Sequence, residues 1–294
     1  MERCVLKVEG LCKSYKDFEL KDISFSLEEG YILGIIGRNG AGKTTLMNCI
    51  LGKTIYDKGS IRICGSPEQF HANMAKENLG FVVEPGPFFV ADTLWKNGEY
   101  LGPFYKNFDR KAFYKYLRAF GLNPDKLYSD LSKGMKTKFQ LAFALAHAPK
   151  LMVLDEPTGG LDPVFRQEFL QIMQREVREK MMSVIISTHL TTDLDKVADY
   201  VMLLDKGECV FYLDKEEMMD AYPLVSGTVE QLTLFDQKEC GRIRRKHGTF
   251  TTMFKNPSYL KENPKLREKL QVERTNIEEM MYYLSAGELY DGRE

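Results

Sequence analysis

The chain has 294 residues, with 41 basic against 42 acidic side chains, 44% hydrophobic and 28% charged residues. At roughly 100–200 residues per domain, it suits one large domain or two ordinary ones, with ample material for a core. Intrinsic disorder, collagen and a disulfide miniprotein are excluded, and so even a charge balance disfavours a strongly basic nucleic-acid binder; no nucleic acid is expected as a partner.

The opening stretch reads as strands at residues 4–8, 23–27 and 31–36, which are short, β-branched or aromatic-rich and separated by polar or glycine-bearing turns. A glycine-rich turn follows, then residues 43–51 with helical apolar spacing, then strands at 59–64 and 78–83. From Pro85 to Pro124 the texture changes to glycine, proline and aromatics: Phe88, Phe89, Trp95, Tyr100, Phe104, Tyr105 and Phe108. Within it, Asp109 is suited to cap a helix whose Phe113, Leu117 and Phe120 share one face. Buried-type strands at 151–154, 184–187 and 200–204 then alternate with helical stretches at 164–180 and 191–198. That alternation predicts an α/β domain with a mostly parallel sheet. After Asp214 the pattern weakens, with Gly227, Gly241, Gly248 and Pro257 as punctuation, so a boundary falls near 215–225. Residues 242–246 form a basic run of the kind that usually marks a solvated face, and residues 276–284 regain helical apolar spacing, suited to packing.

None of the apolar stretches approaches the roughly 18–20 residues of a membrane helix, and the start lacks the basic head and apolar run of a signal peptide. The six cysteines include no CxxC pair, which argues against zinc and for reduced, mostly buried thiols. The expected location is the cytoplasm or the inner face of the cell membrane.

The strongest chemical signal is Gly37-Arg38-Asn39-Gly40-Ala41-Gly42-Lys43-Thr44-Thr45, a complete phosphate-loop pattern between a strand and a helix. Glycines let several backbone N–H groups converge on phosphates at the positive end of a helix. Lys43 is placed to reach the β- and γ-phosphates, and the Thr44 hydroxyl to bind Mg²⁺. The apolar strand before Asp155-Glu156-Pro157 ends in adjacent acids: Asp155 suits Mg²⁺, and Glu156 suits orienting or deprotonating a water. Between these lies Leu131-Ser132-Lys133-Gly134-Met135-Lys136, with Ser132 as a helix N-cap. His189 follows a strand at the end where ligands of open α/β sheets gather.

The order of phosphate loop, Leu131-to-Met135 segment, acidic strand, Gly159-Gly160-Leu161-Asp162 and Ser187-Thr188-His189 resembles the nucleotide-binding subunit of an ATP-binding cassette (ABC) transporter. Within that family it is most similar to the ATPases of ABC-2-type exporters, the group that includes the bacitracin-resistance type. The resemblance implies a P-loop NTPase with a mostly parallel sheet, an antiparallel β subdomain and an inserted helical subdomain at about 85–148. Residues 1–220 form the nucleotide-binding domain on this reading, and 221–294 a small α+β accessory region. It implies ATP and Mg²⁺ as cofactors, with Tyr15 stacked on adenine and Ser132 and Gly134 touching the γ-phosphate bound on the opposite subunit. Asp162 falls in the loop that crosses the dimer interface, and His189 matches a histidine that hydrogen-bonds the γ-phosphate. The implied partners are a multi-span membrane permease and a second ATPase, either identical or homologous. The helical subdomain's aromatics, Trp95 and Phe89 among them, are expected to offer a groove to the permease's coupling helix.

Three positions depart from the family pattern. Glu84 replaces a glutamine, as a catalytic group that can still hold Mg²⁺ or its water but adds charge beside the phosphates. Lys133 replaces a glycine and Met135 a glutamine, which points to active but tuned hydrolysis. Two other classes stay open: a soluble ABC ATPase acting on ribosomes or DNA, and a nucleotide-sensing module with little turnover. A single phosphate loop without heptads or CxxC pairs argues against the first, and Glu156 with His189 against the second.

Overall fold

Apolar and polar residues alternate along the opening strands, so one face of each can be buried and the other left wet. In the computed structural model, which describes residues 4–67 and 77–285, β1 (Cys4–Ser14) and β2 (Glu19–Glu28) pair antiparallel, with Leu6, Val8, Ile23 and Leu27 inward. Both run longer than their apolar cores because the polar ends keep main-chain pairing, Lys13 opposite Leu20 and Ser14 opposite Glu19. β3 (Ile32–Ile36) is buried throughout and delivers the chain to the phosphate loop and helix α1 (Lys43–Ile50). β4 (Lys58–Ile63) and β5 (Ser66–Pro67) complete a four-stranded antiparallel sheet in the order β2-β1-β4-β5.

β6 (Leu79–Val82) leads into α2 (Leu94–Leu101), α3 (Arg110–Ala119) and α4 (Lys133–Ala146). No apolar period marks α2; Thr93 caps it by accepting from Lys96 N at 3.2 Å, and Gly98 leaves room for the Phe113 ring. α3 follows the sequence reading, with Asp109 Oδ1 accepting from Lys111 N and Ala112 N and with Phe113 and Leu117 buried. α4 begins at Lys133, directly after its cap Ser132, whose Oγ accepts from Met135 N at 3.3 Å. β7 (Leu151–Asp155), α5 (Pro163–Lys180), β8 (Ser183–Ser187), α6 (Thr191–Val197) and β9 (Tyr200–Asp205) then alternate as the sequence predicts, and the unpredicted β10 (Glu208–Asp214) and α7 (Lys215–Ala221) follow.

The second sheet has six strands in the order β10-β9-β3-β8-β7-β6, parallel except for the β9–β10 pair. Both faces are covered. Leu33, Ile35, Val153 and Ile185 face α1 and the antiparallel sheet, while Ile32, Ile36, Leu154 and Ile186 face the core shared with α3, α4 and α5. Each such side chain contributes about 1.5–3 kcal/mol on burial, which explains why these strands read as unbroken apolar runs.

The aromatics between Pro85 and Pro124 divide. Phe88 is buried against Phe139 and Phe143, at ring distances of 4.8 and 5.4 Å, and Trp95 stacks on Phe113 at 6.2 Å. Trp95 is half-buried: it packs on Phe113 and also lines a surface cavity of about 740 Å³ with Arg110, Tyr114 and Arg118. Phe89, Tyr100 and Phe104 stay exposed.

Beyond Ala221 the chain builds its own antiparallel sheet from β11 (Leu224–Thr228), β12 (Arg244–Lys246), β13 (Thr249–Thr252) and β14 (Gln271–Glu273), in the order β12-β13-β11-β14. Short helices α8 (Tyr259–Glu262) and α9 (Pro264–Arg267) and the closing helix α10 (Ile277–Leu284) complete it. The basic run is an exposed edge strand at Arg244–Lys246, as expected of a solvated face. None of the six cysteines is in a disulfide, but only Cys49 and Cys240 are buried; Cys4 is exposed and the rest half-buried, so the expectation of mostly buried thiols is corrected. Among the described residues, no helix is long and apolar enough to cross a membrane.

Candidate active site

The loop after β3 is shaped by a steric constraint. Gly37 adopts φ +151°, and a Cβ there would lie 2.3 Å from Leu204 O, so only glycine fits. Gly42, also at positive φ, caps α1, whose first turn carries no acid. Lys43 is buried and its Nζ donates to Gly37 O at 2.7 Å and Arg38 O at 3.2 Å. Burial pushes the Lys43 ammonium below the usual lysine value, while Glu156 and Asp155 pull it back. Asn39, Gly40 and Thr44 are exposed, and with Ala41, Gly42, Lys43 and Thr45 they line a cleft of about 490 Å³. Asp155 and Glu156 form its opposite wall, so the loop and the acidic strand end meet as the sequence requires. Asp17 and Phe18 also line it; the sequence gives no apolar period or charge pattern that singles them out. Tyr15 is half-exposed on the same β1–β2 turn, its ring 5.4 Å from Lys13 Nζ, and is not part of the cleft wall.

Asp155 ends β7, with Oδ1 accepting from Ser187 Oγ at 2.9 Å across the β7–β8 pair. Glu156 turns into the left-handed region at φ +50°, which costs a non-glycine residue about 1–3 kcal/mol. Its N–H donates to Ser187 O at 2.9 Å, and its Oε2 lies 2.6 Å from His189 Nδ1. A carboxylate only accepts, so Nδ1 carries the proton and Nε2 of His189 is left for another partner. A carboxylate anchored in this way can orient a water and receive its proton.

Ser132 is exposed at the start of α4 and does not line the phosphate-loop cleft of its own chain. Gly134 sits so close to Gly160 O that a Cβ would lie 2.8 Å away, which ties this segment to the loop before α5. Asp162 caps α5, accepting from Phe165 N at 2.9 Å; that bond, then Lys138, holds its carboxyl below the usual range. Glu84 faces a neighbouring cavity of about 240 Å³ that Asp155 and Glu156 also line. Its carboxylate lies 2.9 Å from Lys133 Nζ, so two departures from the family pattern meet as an ion pair. Both side chains are more than half exposed, where such pairs contribute about 0–1 kcal/mol. Lys133→Gly is expected to raise the KM for ATP about two- to five-fold, since it leaves the Glu84 carboxylate unpaired beside phosphates. Adding Glu84→Gln should return KM to within about two-fold of the parent, and steady-state ATPase kinetics on both variants measure this.

The model of the ABC transporter family matches residues 20–159. The ABC transporter ATP-binding protein YtrB of Bacillus subtilis is 32% identical over 203 residues, covering 69% of each chain. The chain belongs to the ABC transporter ATP-binding proteins. The bacitracin transport ATP-binding protein BcrA of Bacillus licheniformis is 32% identical over 213 residues, 69% of this chain and 68% of that one. A solved ATP-binding subunit of an ABC transporter superposes with a TM-score of 0.67 at 25% identity, over 73% of this chain and 91% of that chain. As an ABC ATPase, the chain binds and hydrolyses ATP to drive a transporter.

The donor set of this ABC ATPase suits Mg²⁺. Among the described residues no cluster of three or more His, Cys, Asp or Glu forms a metal cage, and the cleft instead offers a hydroxyl (Thr44) and a carboxylate (Asp155). Mg²⁺ is usually held by one or two side chains, with phosphates and water completing its octahedron.

Proposed function

We propose that this chain is the ATPase subunit of an ABC-2-type exporter, bound to the cytoplasmic face of the cell membrane through a separate multi-span permease. Two ATPase subunits, identical or homologous, close on ATP. In each half-site Lys43 and the N–H groups of the phosphate loop hold the β- and γ-phosphates, and Thr44 and Asp155 would hold Mg²⁺, which would neutralise developing charge. Glu156 orients the attacking water and takes its proton, while His189 supports Glu156 through Nδ1 and meets the γ-phosphate through Nε2. Ser132, Gly134 and Asp162 act on the opposite subunit's nucleotide, Tyr15 stacks on adenine, and Glu84 touches the Mg²⁺ water shell. Residues 1–220 form the nucleotide-binding domain and 221–294 the accessory region.

The observation that carries hydrolysis, as against mere sensing, is the 2.6 Å contact between His189 and Glu156 beside the phosphate-loop cleft. The relative named for bacitracin transport supports the transporter reading over a ribosome or DNA factor. For the permease contact, a cavity of about 600 Å³ between the sheet and the helical subdomain is lined by Phe81, Leu101, Pro103 and Phe104, with Phe104 76% exposed. Phe104→Asp should leave the isolated subunit folded and hydrolysing while it loses co-purification with the permease. Unchanged co-purification removes the groove from the proposal, and the absence of Mg²⁺-dependent phosphate release from both dimer and transporter complex removes the proposal itself.

A further inference from the structure

The closing helix α10 is part of the C-terminal region by sequence, yet its apolar face belongs to the other core. Ile277, Met280 and Tyr283 are buried with Leu194, Val197 and Ala198, in and beside α6, and not with Val225, Phe250 and Phe254 of the C-terminal core. Asn276 starts α10 with a capping box: its side chain accepts from Glu279 N at 2.9 Å while Glu279 Oε2 accepts from Asn276 N at 3.3 Å. The next N–H, of Ile277, turns onto α6 and donates to Asp195 Oδ1 at 3.4 Å. A carboxylate at a helix N-terminus is favourably placed.

α6 begins just after His189, at Thr191, and has only seven residues. So short a helix has little stability of its own, and its position comes from its neighbours. On one flank Arg166 Nε reaches both oxygens of Asp193 at 2.9 Å, and Gln174 Nε2 donates to Lys196 O at 3.1 Å. On the other flank stands α10. The loop before β12 in turn grips α10, since Arg242 N donates to Tyr283 O at 2.8 Å and a Cβ on Gly241 would lie 2.0 Å from that carbonyl.

We infer that α10 is a positioning element for ATP hydrolysis: by holding Asp195 and the apolar side of α6, it sets where His189 meets Glu156 and couples the C-terminal region to turnover. The inference rests on the reading of Glu156 and His189 as the hydrolytic pair. A misplacement of about 1 Å in a catalytic group can cost up to about 10²-fold in rate. A loosened α6 still samples the correct position, so a smaller loss follows.

The test uses the full-length protein and compares Asp195→Ala, Asp195→Asn and Ile277→Ala/Met280→Ala with the parent. Asp195→Ala and the double variant should lower kcat about five- to tenfold with the KM for ATP and fluorescent-nucleotide affinity within about two-fold. Asp195→Asn retains an oxygen that accepts from Ile277 N–H and should recover most of kcat, which a general loss of stability does not explain. Amide hydrogen exchange should show faster opening over residues 191–197 in the double variant. An unchanged kcat in folded Asp195→Ala and double variants overturns the inference, as does a KM that rises in step with the fall in kcat. Glu156→Gln serves as the separate control. If it hydrolyses ATP at the parental rate the hydrolytic pair itself is wrong, whereas a dead Glu156→Gln beside fully active α10 variants sinks only the coupling.

Discussion

Glu156→Gln is expected to slow phosphate release by about 10²–10⁴-fold while ATP remains bound, the range a positioned general base contributes. The substitution is nearly isosteric, and the glutamine carbonyl can still accept from His189 Nδ1 in place of Oε2, which now lies 2.6 Å away. The backbone turn at φ +50° is likewise held by the Glu156 N–H bond to Ser187 O, which the side chain does not touch. What is lost is the ability to take a proton from water, and so the effect belongs to kcat. Single-turnover phosphate release together with fluorescent-nucleotide binding measures the two quantities separately. A parental rate in Glu156→Gln assigns the base elsewhere and restores the sensing alternative.

The parts of this site that were legible in the sequence are those fixed by local spacing. A phosphate loop needs its glycines, lysine and threonine within a few residues, and the left-handed turns at Gly40 and Gly42 and the steric demand at Gly37 are local consequences of that. Helix caps at Asp109 and Ser132 are equally local, and each accepts a backbone N–H as its residue type suggests. α2 escaped because its placement depends on tertiary fit, Gly98 yielding space to Phe113, where propensity alone disfavours a helix. Phe18 joins the cleft through the turn that brings β2 back to β1, and no side-chain period encodes that. The pairs that join distant segments were invisible for the same reason: Glu84 with Lys133, and Asp195 with the start of α10. Glu84 and Lys133 stand out one by one in the sequence, but only the fold sets them side by side.

Such a pair underlies the second large effect. Arg166 and Asp193 tie α5, whose N-cap is Asp162, to α6, which starts just after His189, with Nη2–Oδ1 at 2.8 Å beside the Nε contacts. The two ends are unequally buried, since the Asp193 side chain is 4% exposed and that of Arg166 30%. Arg166→Met therefore leaves a carboxylate in the interior with its main partner gone, and breaking a buried pair in that way costs about 3–5 kcal/mol. Asp193→Leu leaves a guanidinium that can turn toward water, so its cost should fall to about 1–3 kcal/mol, nearer that of a lost charged hydrogen bond. In the double variant Arg166→Met/Asp193→Leu neither charge remains, and apolar contact between α5 and α6 should bring stability close to the parent. Denaturant midpoints of all four proteins give this order directly. Equal losses in the two single variants contradict the burial argument, and a double variant no better than Arg166→Met shows that the pair contributes geometry that apolar packing cannot supply. In that event its phosphate release falls as well, because the spacing of α5 and α6 also sets the spacing of Asp162 and His189.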